Sequence, residues 1–224
     1  MNVLTLDHVS YTYPGGSRPV VRDACYPFES GQLYAVIGPS GSGKSTLLSM
    51  LAGLDLPTEG EVRLEGQGSL AELDLDKYRR EDVAMIFQAF HLLPLFTVME
   101  NVCYPMELCG VHPREAKERA KPLLESVGIG AEKHNRFPAN LSGGEQQRVA
   151  IARSLASGAQ TILADEPTGN LDAANTVNVI EILRQLAHEK GYCVIVVTHD
   201  TEVSDLADEV YRVKDGVLTR VHSA

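Results

Sequence analysis

Short apolar runs alternate with helical patterns along most of this chain. The runs at 33–37, 83–87, 161–164 and 193–198 are too short for helices and predict buried strands. Helical periodicity occupies 97–109, 113–127 and 176–189, and Pro113 suits the first position of a helix. Because strands alternate with helices, the pattern predicts an α/β fold with a parallel sheet.

The two ends of the chain have a different pattern, typical of antiparallel strands. Short strands are predicted within the first 37 residues and at 61–64, with turns at 14–16 and 29–31. A hairpin is predicted at 210–213 and 217–221 around Asp215 and Gly216. We therefore expect one domain over 1–224, with an antiparallel N-terminal β subdomain and an inserted α-helical subdomain at roughly 89–157.

Composition restricts the classes of partner and compartment. The 224 residues are 44% hydrophobic, enough for a substantial core, and the net charge of −10 without a dense basic run argues against nucleic acid as a partner. No signal sequence and no run of 18 apolar residues occur, so we expect neither secretion nor membrane spanning, and no C-terminal regulatory domain. The cysteines at 25, 103, 109 and 193 lack metal-site spacing, and we interpret them as small buried side chains in a reducing compartment.

A phosphate-binding loop follows the strand at 33–37 and precedes a helical pattern, as the motif Gly-x-x-x-x-Gly-Lys-Ser requires. Its glycines leave backbone N–H groups free to surround phosphate oxygens. Lys44 is expected to contact the β and γ phosphates, and the Ser45 hydroxyl to ligate Mg²⁺. The predicted ATP-binding residues here are Gly38, Pro39, Ser40, Gly41, Ser42, Gly43, Lys44, Ser45 and Thr46.

Two carboxylates, Asp165 and Glu166, end the strand at 161–164. A parallel sheet would bring them to the edge that carries the phosphate loop. We predict that Asp165 holds the metal and that Glu166 activates the attacking water, which makes the protein a nucleotide hydrolase and not merely a binder.

A second candidate anion site lies in Leu141-Ser142-Gly143-Gly144-Glu145-Gln146-Gln147-Arg148. Ser142 and Glu145 also fit the capping box of an ordinary helix. Each glycine in a first helical turn costs about 1 kcal/mol relative to Ala. Because two glycines occur there, we expect the exposed amides at Gly143 and Gly144 to bind an anion in addition to any capping.

With these motifs in this order, the chain resembles, from end to end, the nucleotide-binding subunit of ABC transporters, which have a P-loop NTPase (RecA-like) core. The resemblance implies a head-to-tail dimer with ATP between the loop around Lys44 of one copy and Ser142, Gly143 and Gly144 of the other. It also implies four further roles. Adenine would stack on Tyr13, with Tyr11 as the alternative; Gln88 would sense Mg²⁺ and face a membrane partner; His199 would contact the γ phosphate; Asp172 would communicate across the dimer.

The motifs Asp-Glu-Pro-Thr-Gly-Asn-Leu-Asp, Phe-Gln-Ala-Phe-His-Leu-Leu-Pro and Thr-Val-Met-Glu-Asn-Val resemble the lipoprotein-release and macrolide-efflux branch, typified by LolD and MacB. This branch also contains ATPases of antimicrobial-peptide resistance and cell-division complexes. The resemblance implies a second copy or a homologous ATPase and a separate integral-membrane permease as partners. It further implies a cytoplasmic protein peripheral to the inner face of the cell membrane. The alternative is a soluble ABC ATPase that is not coupled to transport.

Overall fold

The computed structural model describes residues 4–223, except for the side chains at 201, 202, 222 and 223. The strands are β1 (Leu4–Tyr11), β2 (Val21–Phe28), β3 (Leu33–Ile37), β4 (Glu59–Leu64), β5 (Gly68–Ser69), β6 (Val83–Phe87), β7 (Thr161–Asp165), β8 (Cys193–Thr198), β9 (Glu209–Lys214) and β10 (Val217–Ser223). The helices are α1 (Lys44–Leu51), α2 (Leu75–Glu81), α3 (Val98–Leu108), α4 (Pro113–Ser126), α5 (Gly143–Leu155), α6 (Ala173–Lys190) and α7 (Thr201–Leu206). Short 3₁₀ turns occupy Leu70–Glu72, Ala131–Lys133 and Pro138–Asn140.

Five neighbouring strands form the parallel part of a ten-stranded sheet, in the order β9-β3-β8-β7-β6. Parallel strands of this kind end at one common edge. The segments that follow β3, β6, β7 and β8 therefore leave the sheet on the same side. These four segments carry the phosphate loop, Gln88, Glu166 and His199.

The remaining strands are largely antiparallel. β1 pairs with β2 on one side and with β4 on the other, and β9 pairs with β10 through the predicted turn at Asp215 and Gly216. The predicted α/β class with an antiparallel N-terminal part is confirmed. No helix in the described part of the chain is long and apolar enough to cross a membrane.

The parallel strands are buried on both faces, which explains their nearly continuous apolar runs. In β3, Leu33 and Ala35 pack on the side of α3 to α6, whereas Tyr34 and Val36 pack with α1 and the N-terminal strands. Helices α3, α4 and α5 pack against one another within the stretch predicted as a helical subdomain. Pro113 occupies the first turn of α4, as predicted.

Two helices were not predicted. The pattern of α2 is dominated by charged residues, so its apolar stripe consists of only Leu75 and the buried Tyr78, whose hydroxyl donates to the Leu51 carbonyl. Helix α7 is only six residues long. Helix α6 begins before the predicted 176 because the Asp172 carboxylate caps it by accepting from the Asn175 N–H at 2.9 Å.

The interpretation of all four cysteines as buried was wrong for two of them. Cys103 and Cys193 are buried, but Cys25 and Cys109 are exposed. Cys25 is exposed on β2, and Cys109 follows the last turn of α3. A single cysteine in an alternating strand has no sequence signal that tells which face it occupies.

Candidate functional site

A cavity of about 720 Å³ lies at the common edge where the parallel strands end. It brings together groups from five separate parts of the sequence: the segment between β1 and β2, and the segments that follow β3, β6, β7 and β8. Its lining comprises Tyr13, Val20, Gly38, Pro39, Ser40, Gly41, Gly43, Lys44, Ser45, Thr46, Gln88, Glu166 and His199. Ser142, Gly143, Gly144 and Asp172 are not among the residues that line it.

The loop before α1 presents polar groups that suit an anion. Lys44 is buried, and its Nζ donates to the carbonyl oxygens of Gly38 at 2.8 Å and Pro39 at 3.1 Å, oxygens that stand in for phosphate. The buried Ser42 Oγ has no hydrogen-bond partner among the described residues. Buried polar atoms without partners are rare in proteins, so these groups fit a phosphate ligand of the ATP type.

Two loop glycines are also required by packing. A Cβ at Gly38 would collide with the Val213 carbonyl of β9, and a Cβ at Gly43 would lie 2.6 Å from the Val20 carbonyl. Gly43 in addition has a φ of 106°. The phosphate loop is therefore held between β9 and the segment before β2 with no space for side chains at these two positions.

Asp165 ends β7 beside Ser45, whose hydroxyl donates to its carboxylate. Burial raises the pKa of Asp165, the Ser45 hydrogen bond lowers it, and the neighbouring Glu166 charge raises it; the net direction is upward. A half-buried carboxylate next to a hydroxyl is an oxygen donor set of the kind that Mg²⁺ prefers. The two residues fit a magnesium ion.

Glu166 follows β7 with a φ of 48°, a left-handed conformation that is uncommon for a residue other than glycine. Its N–H donates to the Val197 carbonyl at 2.8 Å, and its carboxylate oxygens approach His199 Nδ1 at 2.9 Å and Thr198 Oγ1 at 3.4 Å. These partners from β8 and its end hold the strained residue with its carboxylate in the cavity.

Gln88 lines the cavity immediately after β6 and is positioned by the loop after β7. Asn170 Nδ2 donates to the Gln88 carbonyl at 3.0 Å, and a Cβ at Gly169 would lie 2.6 Å from Gln88 Nε2. A side chain at Gly169 would therefore displace the end of the Gln88 side chain.

The two tyrosines proposed for adenine differ in exposure. Tyr11 is 7% exposed and belongs to the core, whereas Tyr13 is 49% exposed and lines the cavity. Their rings meet edge to face with centroids 5.0 Å apart, and the Tyr13 hydroxyl lies 2.8 Å from Thr46 Oγ1. Only Tyr13 offers a ring to a ligand in the cavity.

Ser142 forms the complete capping box of α5. Its Oγ accepts from the Glu145 N–H at 3.3 Å, and its own N–H donates to Glu145 Oε2 at 2.8 Å. Lys133 and these contacts lower the pKa of Glu145. The capping interpretation is thus fully realised, yet Ser142 is exposed and Gly143 is only half-buried, so the start of α5 remains accessible.

Packing also explains why position 144 is a glycine, which the sequence alone did not reveal. A Cβ there would collide with the Asn175 side chain, whose Nδ2 donates to both Asp172 carboxylate oxygens at 3.0 and 2.9 Å. The Asn175 backbone N–H, and then these side-chain bonds, lower the pKa of Asp172. Asp172 therefore lies one side chain away from the start of α5.

Two side chains that were not predicted to be functional, the buried Gln147 and the half-buried Arg153, connect the loops around the cavity. Gln147 Nε2 donates to the Pro167 carbonyl at 2.8 Å, just after Glu166. Arg153 donates to the carbonyls of Phe90 at 3.0 Å and His91 at 2.6 Å. Phe90 and His91 both have positive φ angles, so Arg153 stabilises a strained turn after Gln88.

Comparison with known proteins agrees with this architecture. A family model described as ABC transporter matches residues 21–169. The chain is 44% identical over 210 residues to the lipoprotein-releasing system ATP-binding protein LolD 2 of Caulobacter vibrioides, covering 93% of this chain and 92% of that protein. It is 44% identical over 220 residues to the macrolide export ATP-binding/permease protein MacB of Acinetobacter baylyi, covering 96% of this chain and 33% of that protein.

Solved structures extend the agreement to the fold. The dimeric structure of MJ0796, a bacterial ABC transporter cassette, matches with a TM-score of 0.86 at 36% identity, covering 99% of this chain and 100% of that one. A second dimeric structure of MJ0796, in a post-hydrolysis state bound to ADP and Pi, matches with the same TM-score at 35% identity. The chain therefore belongs to the ABC transporter family, as an ATP-binding and ATP-hydrolysing subunit of the branch that contains LolD and MacB.

Proposed function

We propose that two copies of this chain bind ATP with Mg²⁺ between them, each site using the loop at Lys44 of one copy and Ser142, Gly143 and Gly144 of the other. The observation that carries the proposal is the division of the site. One cavity gathers Tyr13, the phosphate loop, Gln88, Glu166 and His199, whereas the accessible start of α5 is outside it. An anion-binding helix start that lies outside its own cavity can complete the cavity of a second copy.

Hydrolysis within this site follows from the side chains that line it. Lys44 would leave the Gly38 and Pro39 carbonyls for the β and γ phosphates. Ser45, Asp165 and Gln88 would hold Mg²⁺, which neutralises charge developing on the phosphate oxygens. Glu166 would accept a proton from the water whose oxygen bonds to the γ phosphorus as the bond to the β–γ bridging oxygen breaks, leaving ADP and phosphate.

His199 and Asp172 have supporting roles in this proposal. His199 orients the Glu166 carboxylate through their 2.9 Å hydrogen bond, and because it lines the same cavity as the phosphate loop it would contact the γ phosphate. Asp172 contacts Asn175, which packs against Gly144 at the start of α5. Within one copy, Asp172 therefore connects the loop after Glu166 to the start of α5, which would bind the ATP held by the second copy.

The permease would contact the surface formed by the turn after Gln88 and the helical segment α3 to α5. Leu95 is 86% exposed and Leu108 is 66% exposed on this surface. Both are large apolar side chains without cover in a monomer, and such positions mark interaction sites when they cluster. Attachment through this surface would place the ATPase at the inner face of the cell membrane.

The transport process is proposed from the named relatives. LolD 2 is named for lipoprotein release and MacB for macrolide export. We infer an ATPase that drives efflux, lipoprotein release or antimicrobial-peptide resistance through a separate permease. Affinity capture from gently solubilised membranes should recover an integral-membrane protein with this chain, and Leu95→Asp should weaken that capture. Recovery with ribosomal or nucleic-acid partners alone would contradict coupling to transport.

The shared site has a sharper test in which two inactive variants are mixed. Lys44→Ala removes the phosphate contact and Ser142→Arg obstructs the opposing helix start, so each variant alone should lose ATP hydrolysis. A mixed dimer contains one site with both elements intact, and ATPase activity should return on mixing. Lys44→Ala mixed with the double variant contains no intact site and should stay inactive. Failure of the first mixture to regain activity would contradict the shared site.

A further inference from the structure

An irregularity in the pairing of β1 and β2 brings together the side chains of Asp7, His8 and Cys25. Leu6 pairs with Tyr26 and Val9 pairs with Ala24, so Asp7 and His8 on β1 oppose a single residue of β2. That residue is Cys25. The extra residue makes a β-bulge, and His8 accommodates it with a φ of 50°.

The bulge changes where side chains point. Consecutive residues of a regular strand face opposite sides of the sheet. Here the carboxylate of Asp7, the imidazole of His8 and the thiol of Cys25 all offer ligand atoms within 4.8 Å of one another. Among the described residues, this is the one group of three or more His, Cys, Asp or Glu side chains that meets this geometry.

A second bulge places the Asp23 carboxylate next to Nδ1 of the His8 imidazole. Between the Val9–Ala24 and Tyr11–Val21 pairs, the extra residue is on β2, and Asp23 there has a φ of 44°. Its Oδ1 lies 2.7 Å from His8 Nδ1. A proton held on Nδ1 by this carboxylate leaves Nε2 as the lone-pair nitrogen, which is the arrangement that orients histidine ligands in metal sites.

Strand β4, which pairs with β1 on the side opposite β2, accommodates the first bulge. A Cβ at Gly60 of β4 would collide with the carbonyl oxygens of Asp7 and His8, and Gly60 has a φ of 71°. The pairing of β1 with β4 shifts register between Asp7 and Ser10. Both partners of β1 are thus adapted to the conformation that gathers the three side chains, and none of the three lines the nucleotide cavity.

We propose that Asp7, His8 and Cys25 bind one divalent transition-metal ion of the zinc class, with Asp23 as the positioning residue for His8. Thiolate, imidazole and carboxylate are the ligand types that Zn²⁺ takes in tetrahedral sites. A thiolate ligand selects against Mg²⁺, which requires oxygen donors. Because His8 and Cys25 are exposed, water occupies the fourth position and the ion exchanges with solvent.

Cobalt is the direct probe, because thiolate ligation of Co²⁺ gives a near-ultraviolet charge-transfer band and tetrahedral geometry gives visible bands. Titration of the reduced, nucleotide-free full-length protein with Co²⁺ should show both bands, saturating at one equivalent. Zn²⁺ should abolish them and excess Mg²⁺ should not. Co²⁺ binding without a thiolate band, or bands that excess Mg²⁺ removes, would overturn the proposal.

Matched variants assign the ligands. Cys25→Ser should remove the charge-transfer band, whereas Cys109→Ser, the same change at another exposed cysteine, should leave it unchanged. His8→Asn should abolish the visible bands while keeping a residue that tolerates positive φ. Asp23→Asn should weaken Co²⁺ binding by about 10–100-fold with the bands retained at saturation. Retention of the thiolate band in Cys25→Ser would refute the site.

Discussion

His199 Nδ1 and Glu166 Oε1 lie 2.9 Å apart, and the bond joins the ends of two adjacent parallel strands. The Glu166 side chain is 18% exposed and that of His199 is 71% exposed. The histidine therefore covers the carboxylate from the open side of the cavity. This hydrogen bond positions the Glu166 carboxylate before ATP binds. Because the His199 side chain is mostly exposed, it can also reach a phosphate in the cavity.

Glu166→Gln should keep ATP binding while reducing turnover by about 10²–10⁴-fold, because an amide cannot accept the proton of the attacking water. The amide can still hydrogen-bond to His199, so the loop should keep its shape. Phosphate release measures turnover, and size-exclusion chromatography with ATP should show a trapped dimer. Glu189→Gln, the same change at an exposed position of α6, is the control. Normal turnover in Glu166→Gln would rule out its role as base.

Asp165→Asn should stabilise the nucleotide-free fold at neutral pH. Since burial raises the pKa of Asp165 above its unfolded value, the folded state binds more protons and stability falls as pH rises through that range. The asparagine removes this loss, so Tm should increase by a few degrees at pH 7, and the advantage should vanish below the unfolded pKa of about 3.9. Thermal unfolding at several pH values checks this. Mg²⁺-dependent turnover should be lost in the same variant, and a lower Tm at pH 7 would contradict the pKa argument.

Ser142→Arg should prevent ATP-driven dimerisation while leaving ATP binding to the monomer unchanged. It also removes a helix cap, which costs about 1 kcal/mol. Thr97→Ala removes the equivalent capping box of α3, away from the proposed interface, and serves as a control. Sedimentation with ATP in the Glu166→Gln background should give monomers for Ser142→Arg and dimers for Thr97→Ala. Dimers in both cases would contradict the shared site.

Tyr13→Ala should weaken ATP binding by about 10–100-fold, the range expected for the loss of base stacking worth about 1–3 kcal/mol. Tyr13→Phe keeps the ring and loses only the hydroxyl contact with Thr46, so its affinity should stay close to that of the unchanged protein. Fluorescent-nucleotide titration measures both. Equal weakening in the two variants would show that the hydroxyl, and not the ring, is what matters.

Gly144→Ala should destabilise the protein by about 1–3 kcal/mol, because the added methyl group overpacks the contact with Asn175. Asn175→Ala in the same chain should recover part of that loss by making space. Urea unfolding of the two single variants and the double variant gives the coupling. Additive effects would mean that the two residues do not share this contact.

The motifs in the parallel half of the chain could be predicted from sequence because each follows a recognisable strand. The end of β7 places Asp165 and Glu166, and the end of β3 places the phosphate loop, as the sheet requires. That Tyr13 is more exposed than Tyr11 could not be predicted, since both residues lie beside the same turn. Only the three-dimensional path of β1 distinguishes them.

Other features depend on contacts between distant segments. The collision that excludes a side chain at Gly144 comes from Asn175 on another helix, and the grouping of Asp7, His8 and Cys25 comes from a bulge. Neither has a local pattern in the sequence. Helix α2 was not predicted for a related reason, because only Leu75 and Tyr78 pack on the core, too few to give a helical hydrophobic pattern.

The close approach of backbone carbonyls to Gly38 and Gly43 determines how mutational scans of this protein should be interpreted. An inactive variant at either glycine cannot separate a damaged ligand site from a damaged fold, because the same methyl group does both. Lys44 is more informative, because shortening its side chain leaves the two glycines beside the Val213 and Val20 carbonyls unchanged. It removes only the Lys44 Nζ hydrogen bonds to the Gly38 and Pro39 carbonyls together with the phosphate contact. Loss of activity on mutation along this loop therefore combines loss of folding stability with loss of affinity for nucleotide.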